Sequence, residues 1–287
     1  MALKEGSTVH VAMYARAFVR PTLADTLEAI AAHGISAVQF NLECAGLDPL
    51  PAELPRTRAV AIREALQARG MTMAAVSGTY NMIDPDPARR AEGLGRLRTL
   101  IDACADLGTS VITLCTGTRD PLSMWRPHPD NGSEAAWRDL VQALAGVLPA
   151  AEARGVTLAF EPEVSNVIDS TTRARRLLDE LRSPALRVCI DGANLFHAGE
   201  LPRMGEILDQ AFDLLGGDIV LAHAKDLDRD GAAGDLPAGH GRLDYPRYLS
   251  LLRRCGYGGA VVLHGLKETE VDGCAAFIRS GIAAVSG

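Results

Sequence analysis

Eight short runs rich in β-branched residues alternate along this chain with eight longer stretches of helical periodicity, and few folds accommodate that pattern. The expected strands are residues 8–14 (TVHVAMY), 36–42 (SAVQFNL), 71–76, 110–115 (SVITLC), 156–160 (VTLAF), 186–190 (LRVCI), 218–222 (DIVLA) and 260–263 (AVVL). The expected helices are residues 22–33, 55–69, 87–107, 134–154, 171–181, 202–215, 245–255 and 271–284. Gly34, Gly70, Gly108, Gly155 and Gly256 each fall just past a helical stretch and shortly before a strand. A left-handed helix terminus is cheapest at glycine there. The runs are apolar on both faces, as suits a parallel sheet covered by helices. Eight βα units of roughly 36 residues predict an α/β fold: a single (β/α)8 TIM barrel with parallel strands and outer helices, one domain over residues 1–287. A doubly wound open sheet would place a glycine-rich loop after its first strand. Here that strand is followed by Ala15-Arg16-Ala17-Phe18.

Composition narrows the function classes. Hydrophobic residues make up 47% of the 287 residues, enough for a sizeable core. No apolar run is long enough to cross a bilayer, so no membrane partner is expected. Residues 1–7 contain one Lys, one Glu and no apolar signal region, which makes the cytoplasm the expected location. The six cysteines form no C-x-x-C pair and read as buried thiols. A net charge of −7 argues against a nucleic-acid surface.

In such a barrel, side chains at the C-terminal ends of the strands converge on one rim. Four consecutive strands deliver a ligand-type residue there: Glu161 after VTLAF, Asp191 after LRVCI, His223 after DIVLA and His264 after AVVL. One such residue would mean little, since a lone strand-end histidine is usually structural. Adjacent buried carboxylates repel, and a cation offsets that repulsion. For His264, a ligand role and a bystander role stay open. Two carboxylates and two imidazoles suit one divalent ion, Mn²⁺ first, with Co²⁺, Zn²⁺ or Fe²⁺ as alternatives. Such an ion polarises a carbonyl and stabilises an enediolate.

The stretches LGTSVITLCTG, ARGVTLAFEPE, LRVCIDGANLF, IVLAHAKDLD and GHGRLDYPRYLSLLRRCGYGGAVVLHG carry a resemblance over about the last two-thirds of the chain. It resembles the xylose isomerase-like, sugar phosphate isomerase/epimerase superfamily of barrels. The resemblance implies that Glu161, Asp191 and His223 are metal ligands. It also implies a small carbohydrate substrate and a homodimer or homotetramer. The ketose epimerase branch carries a fourth ligand, a glutamate, where this chain has His264, which puts a two-glutamate epimerisation in doubt. Asn194 stands where many members have a substrate-contacting histidine, and Gln39 where strand two often offers glutamate.

Other candidates surround this set. Lys225 could bind an anionic group or stabilise an enolate, and Asp226 could hold a ligand histidine or contact substrate. The alternative for both is a surface ion pair, worth little. His240 is a candidate acid/base or a solvated loop residue. Glu163, Asn166 and Asn194 are candidate contacts to substrate hydroxyls, with His197 behind them. Tyr80, near Asn81, and Trp125 offer rings for a sugar face. Residues 118–132 are long and rich in Pro and Asp, and in a barrel they would lie over the mouth as a lid.

The expected catalytic set is Glu161, His264, Lys225 and His240, in a metal-dependent isomerase or epimerase of a sugar or polyol-derived hydroxy-carbonyl. The runner-up is a lyase or dehydratase using the same site. An endonuclease acting on abasic DNA and a non-catalytic sugar-binding barrel stand behind these two, because fold alone implies no function.

Overall fold

The structure, a computed structural model, describes residues 9–286. Thr8, at the start of the first expected strand, and residues 1–7, on which the signal-peptide expectation rests, lie outside the described residues. Eight parallel strands form the centre: β1 His10–Tyr14, β2 Ala37–Phe40, β3 Thr72–Ser77, β4 Val111–Cys115, β5 Thr157–Glu161, β6 Leu186–Asp191, β7 Ile219–Asp226 and β8 Ala260–Leu263. Each pairs with its successor, and β8 pairs with β1, so the sheet closes on itself. This is the (β/α)8 barrel that the alternation predicts. An antiparallel ribbon, Leu236–Pro237, hangs on the end of β7.

The surrounding helices are α1 Leu23–Ala32, α2 Arg56–Gln67, α3 Pro87–Leu107, α4 Glu134–Ala145, α5 Leu148–Arg154, α6 Thr171–Leu181, α7 Met204–Leu215, α8 Tyr245–Arg254 and α9 Val271–Ser286. Thr22, Asp86, Ser133, Ser170 and Asp244 cap α1, α3, α4, α6 and α8 with side-chain oxygens that accept a first-turn N–H. The five glycines expected after helices all have positive φ. Helix α6 ends instead on Arg182, a non-glycine residue in the same left-handed region. The single helix expected over residues 134–154 is broken between α4 and α5. Pro149 sits in the first turn of α5, where it forfeits no helical hydrogen bond. No helix among the described residues is long and apolar enough to cross a membrane.

Two cores result. A large outer one packs the strands against the helices. A smaller inner one lies inside the barrel: Ala12, Ala37, Ala75, Ala159, Cys189, Leu221, Ala260 and Val262. Successive strand residues point to opposite faces. The positions two further along are therefore Tyr14, Gln39, Ser77, Glu161, Asp191, His223 and His264, a polar layer above an alanine-rich one. From outside, α8 supports two of the strands that carry this layer. Tyr248 donates to the carbonyls of Ile190 (3.2 Å) and His223 (3.1 Å), and Tyr245 to that of Lys225 (2.7 Å).

Tight packing of α3 gives a test. A Cβ at Gly93 would lie 2.2 Å from Tyr80 Cδ2. Gly93→Ala should therefore destabilise the fold by about 1–3 kcal/mol through overpacking, despite alanine's higher helix propensity. Urea unfolding measures this.

Candidate metal centre

The polar layer is organised around His223. Its Nε2 lies 2.8 Å from Gln39 Oε1, and Gln39 Nε2 donates to Ser77 Oγ (3.3 Å) and Thr113 Oγ1 (3.2 Å). The other ring nitrogen, Nδ1, faces Glu161 Oε2 at 3.6 Å and Asp191 Oδ2 at 3.7 Å. Asp191 is fully buried, and its Oδ1 accepts from Ala193 N at 3.0 Å. Its Oδ2 has Lys225 Nζ at 3.2 Å, an ion pair without hydrogen-bond angles. Asp191 Oδ2 and His223 Nδ1 are both buried without a hydrogen-bond partner. Orphaned buried polar atoms are rare and call for an explanation, and a cation between carboxylates and an imidazole is one.

Among the described residues, the trio of ligand-type atoms mutually within 4.8 Å is Glu161, Cys189 and His223, without Asp191. The Cys189 thiol, however, lies 3.4 Å from Nε2, the nitrogen that Gln39 already engages. Burial pushes its pKa up and keeps it protonated. The carboxylates on the Nδ1 side are the stronger donors.

Around these groups the charge is arranged in detail. Burial works against the Lys225 ammonium, but the Asp191, Glu161 and Glu163 carboxylates outweigh it and raise its pKa. Lys225 donates to Asn194 Oδ1 at 3.0 Å. Asn194 also donates to Glu161 Oε1 at 2.5 Å and accepts from Gly234 N at 3.0 Å, so both ends of its amide are engaged within the protein. Glu163, buried and beside Glu161, has its carboxyl pushed up to about 7 by burial and by that neighbouring charge. Burial, with His223 and Lys225 nearby, lowers the His264 pKa well below the usual imidazole value and keeps the ring neutral. The His264 ring stacks on that of His223, with centroids 5.1 Å apart and planes 19° from parallel, and touches Tyr14 on its other side. Imidazole lone pairs lie in the ring plane, so stacked rings do not aim at one point. His264 Nδ1 is nonetheless buried without a hydrogen-bond partner, like His223 Nδ1 and Asp191 Oδ2.

Above the layer is a cavity of about 340 Å³, walled by Glu161, Glu163, His223, Lys225, His264 and the lid residue Trp125. Trp125 is 60% exposed. Its loop is braced by Asp120, which accepts from Leu122 N and Ser123 N (both 2.9 Å) and from Arg126 Nε (2.5 Å).

Other candidates are placed elsewhere. Strand β7 runs three residues beyond His223, so its alternation turns Lys225 inward and Asp226 outward. Asp226 accepts from three backbone amides, Leu227 N (2.9 Å), Leu243 N (2.8 Å) and Gly239 N (3.0 Å), and brackets the loop that follows. Asn166 accepts from Gly117 N (2.6 Å) and Cys115 Sγ (2.9 Å), tying two loops together. Tyr80 packs on α3, and Asn81 donates to the Thr118 carbonyl. His240 is exposed in the loop after the ribbon, and His197 lies at the turn closed by Glu200. The sequence reading missed Ser77, Thr113 and Cys189 and saw Gln39 only as a lost acid. For Gln39 and Ser77 the one signal was their spacing of two from the small interior residues Ala37 and Ala75.

The family profile described as xylose isomerase-like TIM barrel matches residues 27–277. The chain belongs to this family. It is similar to L-ribulose-5-phosphate 3-epimerase UlaE of Shigella flexneri serotype 5b, 25% identical over 201 residues. That match covers 70% of this chain and 66% of UlaE, just under two thirds of the relative's length. Among solved structures, a xylose isomerase domain protein from Alicyclobacillus acidocaldarius superposes with TM-score 0.74 at 19% identity, covering 98% of this chain and 100% of that one. A xylose isomerase-like TIM barrel protein from Mycobacterium smegmatis, solved in complex with magnesium, superposes with TM-score 0.75 at 16% identity and full coverage of both chains. At these identities the two structures establish the shared fold.

The placement of Asp226 makes a prediction. Asp226→Ala leaves three amides without their acceptor and should cost at least about 2 kcal/mol of stability in urea unfolding. A purely substrate-binding Asp226 would leave stability unchanged and weaken binding alone.

Proposed function

We propose that this chain is a divalent-metal-dependent isomerase or epimerase of a sugar or polyol-derived hydroxy-carbonyl. The observation that carries the reading is that His223 Nδ1 faces Glu161 Oε2 at 3.6 Å and Asp191 Oδ2 at 3.7 Å, with Asp191 Oδ2 and His223 Nδ1 buried and unpartnered. These three residues would hold the ion. The mixed oxygen and nitrogen set suits Mn²⁺, with Co²⁺, Zn²⁺ or Fe²⁺ as alternatives. When bound, such an ion polarises a carbonyl and gathers two adjacent substrate oxygens. Support for the reaction class comes from the UlaE relative, named for 3-epimerisation of a ketose phosphate. The magnesium reported with the M. smegmatis protein supports a divalent ion on this fold.

The protein's own residues supply the remaining work. Lys225 keeps a fixed positive charge against Asp191 and stands ready for a developing oxyanion in the cavity. Glu163 and neutral His264 both wall the cavity and provide two groups for moving a proton off and onto a substrate carbon. Asn194 holds Glu161 and Lys225 at a fixed separation. Trp125 offers its ring to one face of a sugar from the lid. Both ends of the Gln39 side chain are engaged, so it is not free as a further ligand. That weighs against the multi-metal cluster of the abasic-DNA nucleases.

Two measurements test the reading. Elemental analysis of the purified protein should find about one divalent ion per chain, and chelation should abolish turnover of ketoses. A metal-free protein indifferent to chelator overturns the proposal. Asp191→Asn should leave the fold intact and lower turnover by more than about a hundredfold, since the ion's contribution is several kcal/mol. In D₂O, solvent deuterium should appear in isomerised or epimerised sugar. Accumulation of an unsaturated product would replace this reading with elimination at the same site.

A further inference from the structure

We infer that Gln39 is a positioning residue that sets which nitrogen of His223 is presented to an ion. The inference rests on the reading of Glu161, Asp191 and His223 as the ion's holders. An imidazole has two distinct nitrogens, and the hydrogen bond made by one decides which is free to bind. An imidazole bound through Nδ1 keeps its proton on Nε2, and a buried N–H needs an acceptor. His223 is 3% exposed, and Gln39 Oε1 lies 2.8 Å from its Nε2.

A carboxamide can present either its oxygen or its nitrogen, so something must hold the amide with oxygen toward the ring. Ser77 Oγ and Thr113 Oγ1 do so by accepting from Gln39 Nε2, at 3.3 and 3.2 Å. These hydroxyls come from β3 and β4, and both are buried. The opposite edge of the ring argues for the same arrangement. Nδ1 faces two carboxylate oxygens at 3.6 and 3.7 Å without a hydrogen bond, which is where a cation, and not a proton on Nδ1, completes the set. The chain thus runs from two hydroxyls through one amide to one imidazole, across four strands. The register supports it: β3 carries an extra residue, Ala74, between the partners of Val38 and Gln39. Such a bulge re-aims the side chains beside it. Gln39 lines the cavity, but its side-chain hydrogen bonds go to His223, Ser77 and Thr113, so it acts through His223.

The test is metal affinity of the full chain, with Co²⁺ and Zn²⁺ as the ions, by calorimetry or competition with a chromogenic chelator. Gln39→Leu removes the acceptor and should weaken binding 10- to 100-fold, the usual cost of losing such an outer partner. Gln39→Glu restores an acceptor in the same place and should recover affinity to within a few-fold of the parent. A side chain needed only for packing would show no rescue by Glu. The double variant Ser77→Ala/Thr113→Val leaves Gln39 in place but frees its amide to turn. It should lose affinity several-fold, and it serves if Gln39→Leu does not fold. ¹⁵N NMR of the Zn²⁺-loaded protein should show the His223 proton on Nε2 in the parent. Unchanged affinity in both Gln39→Leu and the double variant overturns the inference. If Asp191→Asn also leaves affinity unchanged, the metal reading itself fails. If Asp191→Asn weakens binding while the Gln39 variants do not, only the role of Gln39 fails.

Discussion

The pleat of a β-strand inside a closed barrel governs this molecule. Once eight parallel strands close, every second side chain must enter a narrow interior that admits little volume. The lower interior is accordingly filled by alanines, Cys189, Leu221 and Val262. One pleat higher, the same strands end, and the residues there are polar because they face an open mouth. The site follows from that step: the register that buries Ala159 and Cys189 also raises Glu161 and Asp191 to the rim. Barrel closure sets them beside His223.

Such a layer concentrates charge where water is scarce. Glu161, Glu163, Asp191, His223 and Lys225 lie close together, and the pKa shifts of Glu163, Asp191 and Lys225 record the mutual compensation. Asp191 is buried, which opposes its ionisation, yet Lys225 and His223 hold its carboxyl well below the usual carboxylate range. Lys225 remains a cation because carboxylates surround it. His264 is driven down by burial first, and then by His223 and Lys225 beside it. The Glu163 and Asp191 carboxyls are thus pushed in opposite directions, an arrangement that proton-transfer sites use.

Much of this was legible in the sequence, for a physical reason. Parallel strands covered on both faces carry continuous apolar runs, so the ligand-type residues that end those runs stand out, as Glu161, Asp191 and His223 do. Glycine after a helix is equally visible, and Arg182 shows its limit, since a non-glycine residue in the same conformation leaves no mark. The end of β7 was hidden because hydropathy stops at Ala222 while the strand continues through His-Ala-Lys-Asp. That continuation turns Asp226 outward, where its carboxylate accepts from three amides. Gln39, Ser77 and Thr113 were hidden because a buried polar residue on a strand looks ordinary until its partner on another strand is known. His264 was visible as a strand-end residue, but ring stacking is not encoded in spacing.

The alanine-rich layer under the site has a bearing on how this protein can change. None of these small residues walls the cavity; they lie one pleat beneath the polar groups that do. Exchange of Ala159 or Ala12 for a bulkier aliphatic residue would press on the polar layer from below and shift it, at the cost that overpacking brings. The methyl layer thus fixes the height at which the reactive groups stand, and drift in it is paid for in their geometry, while ligand size is free to change only through the residues that wall the mouth.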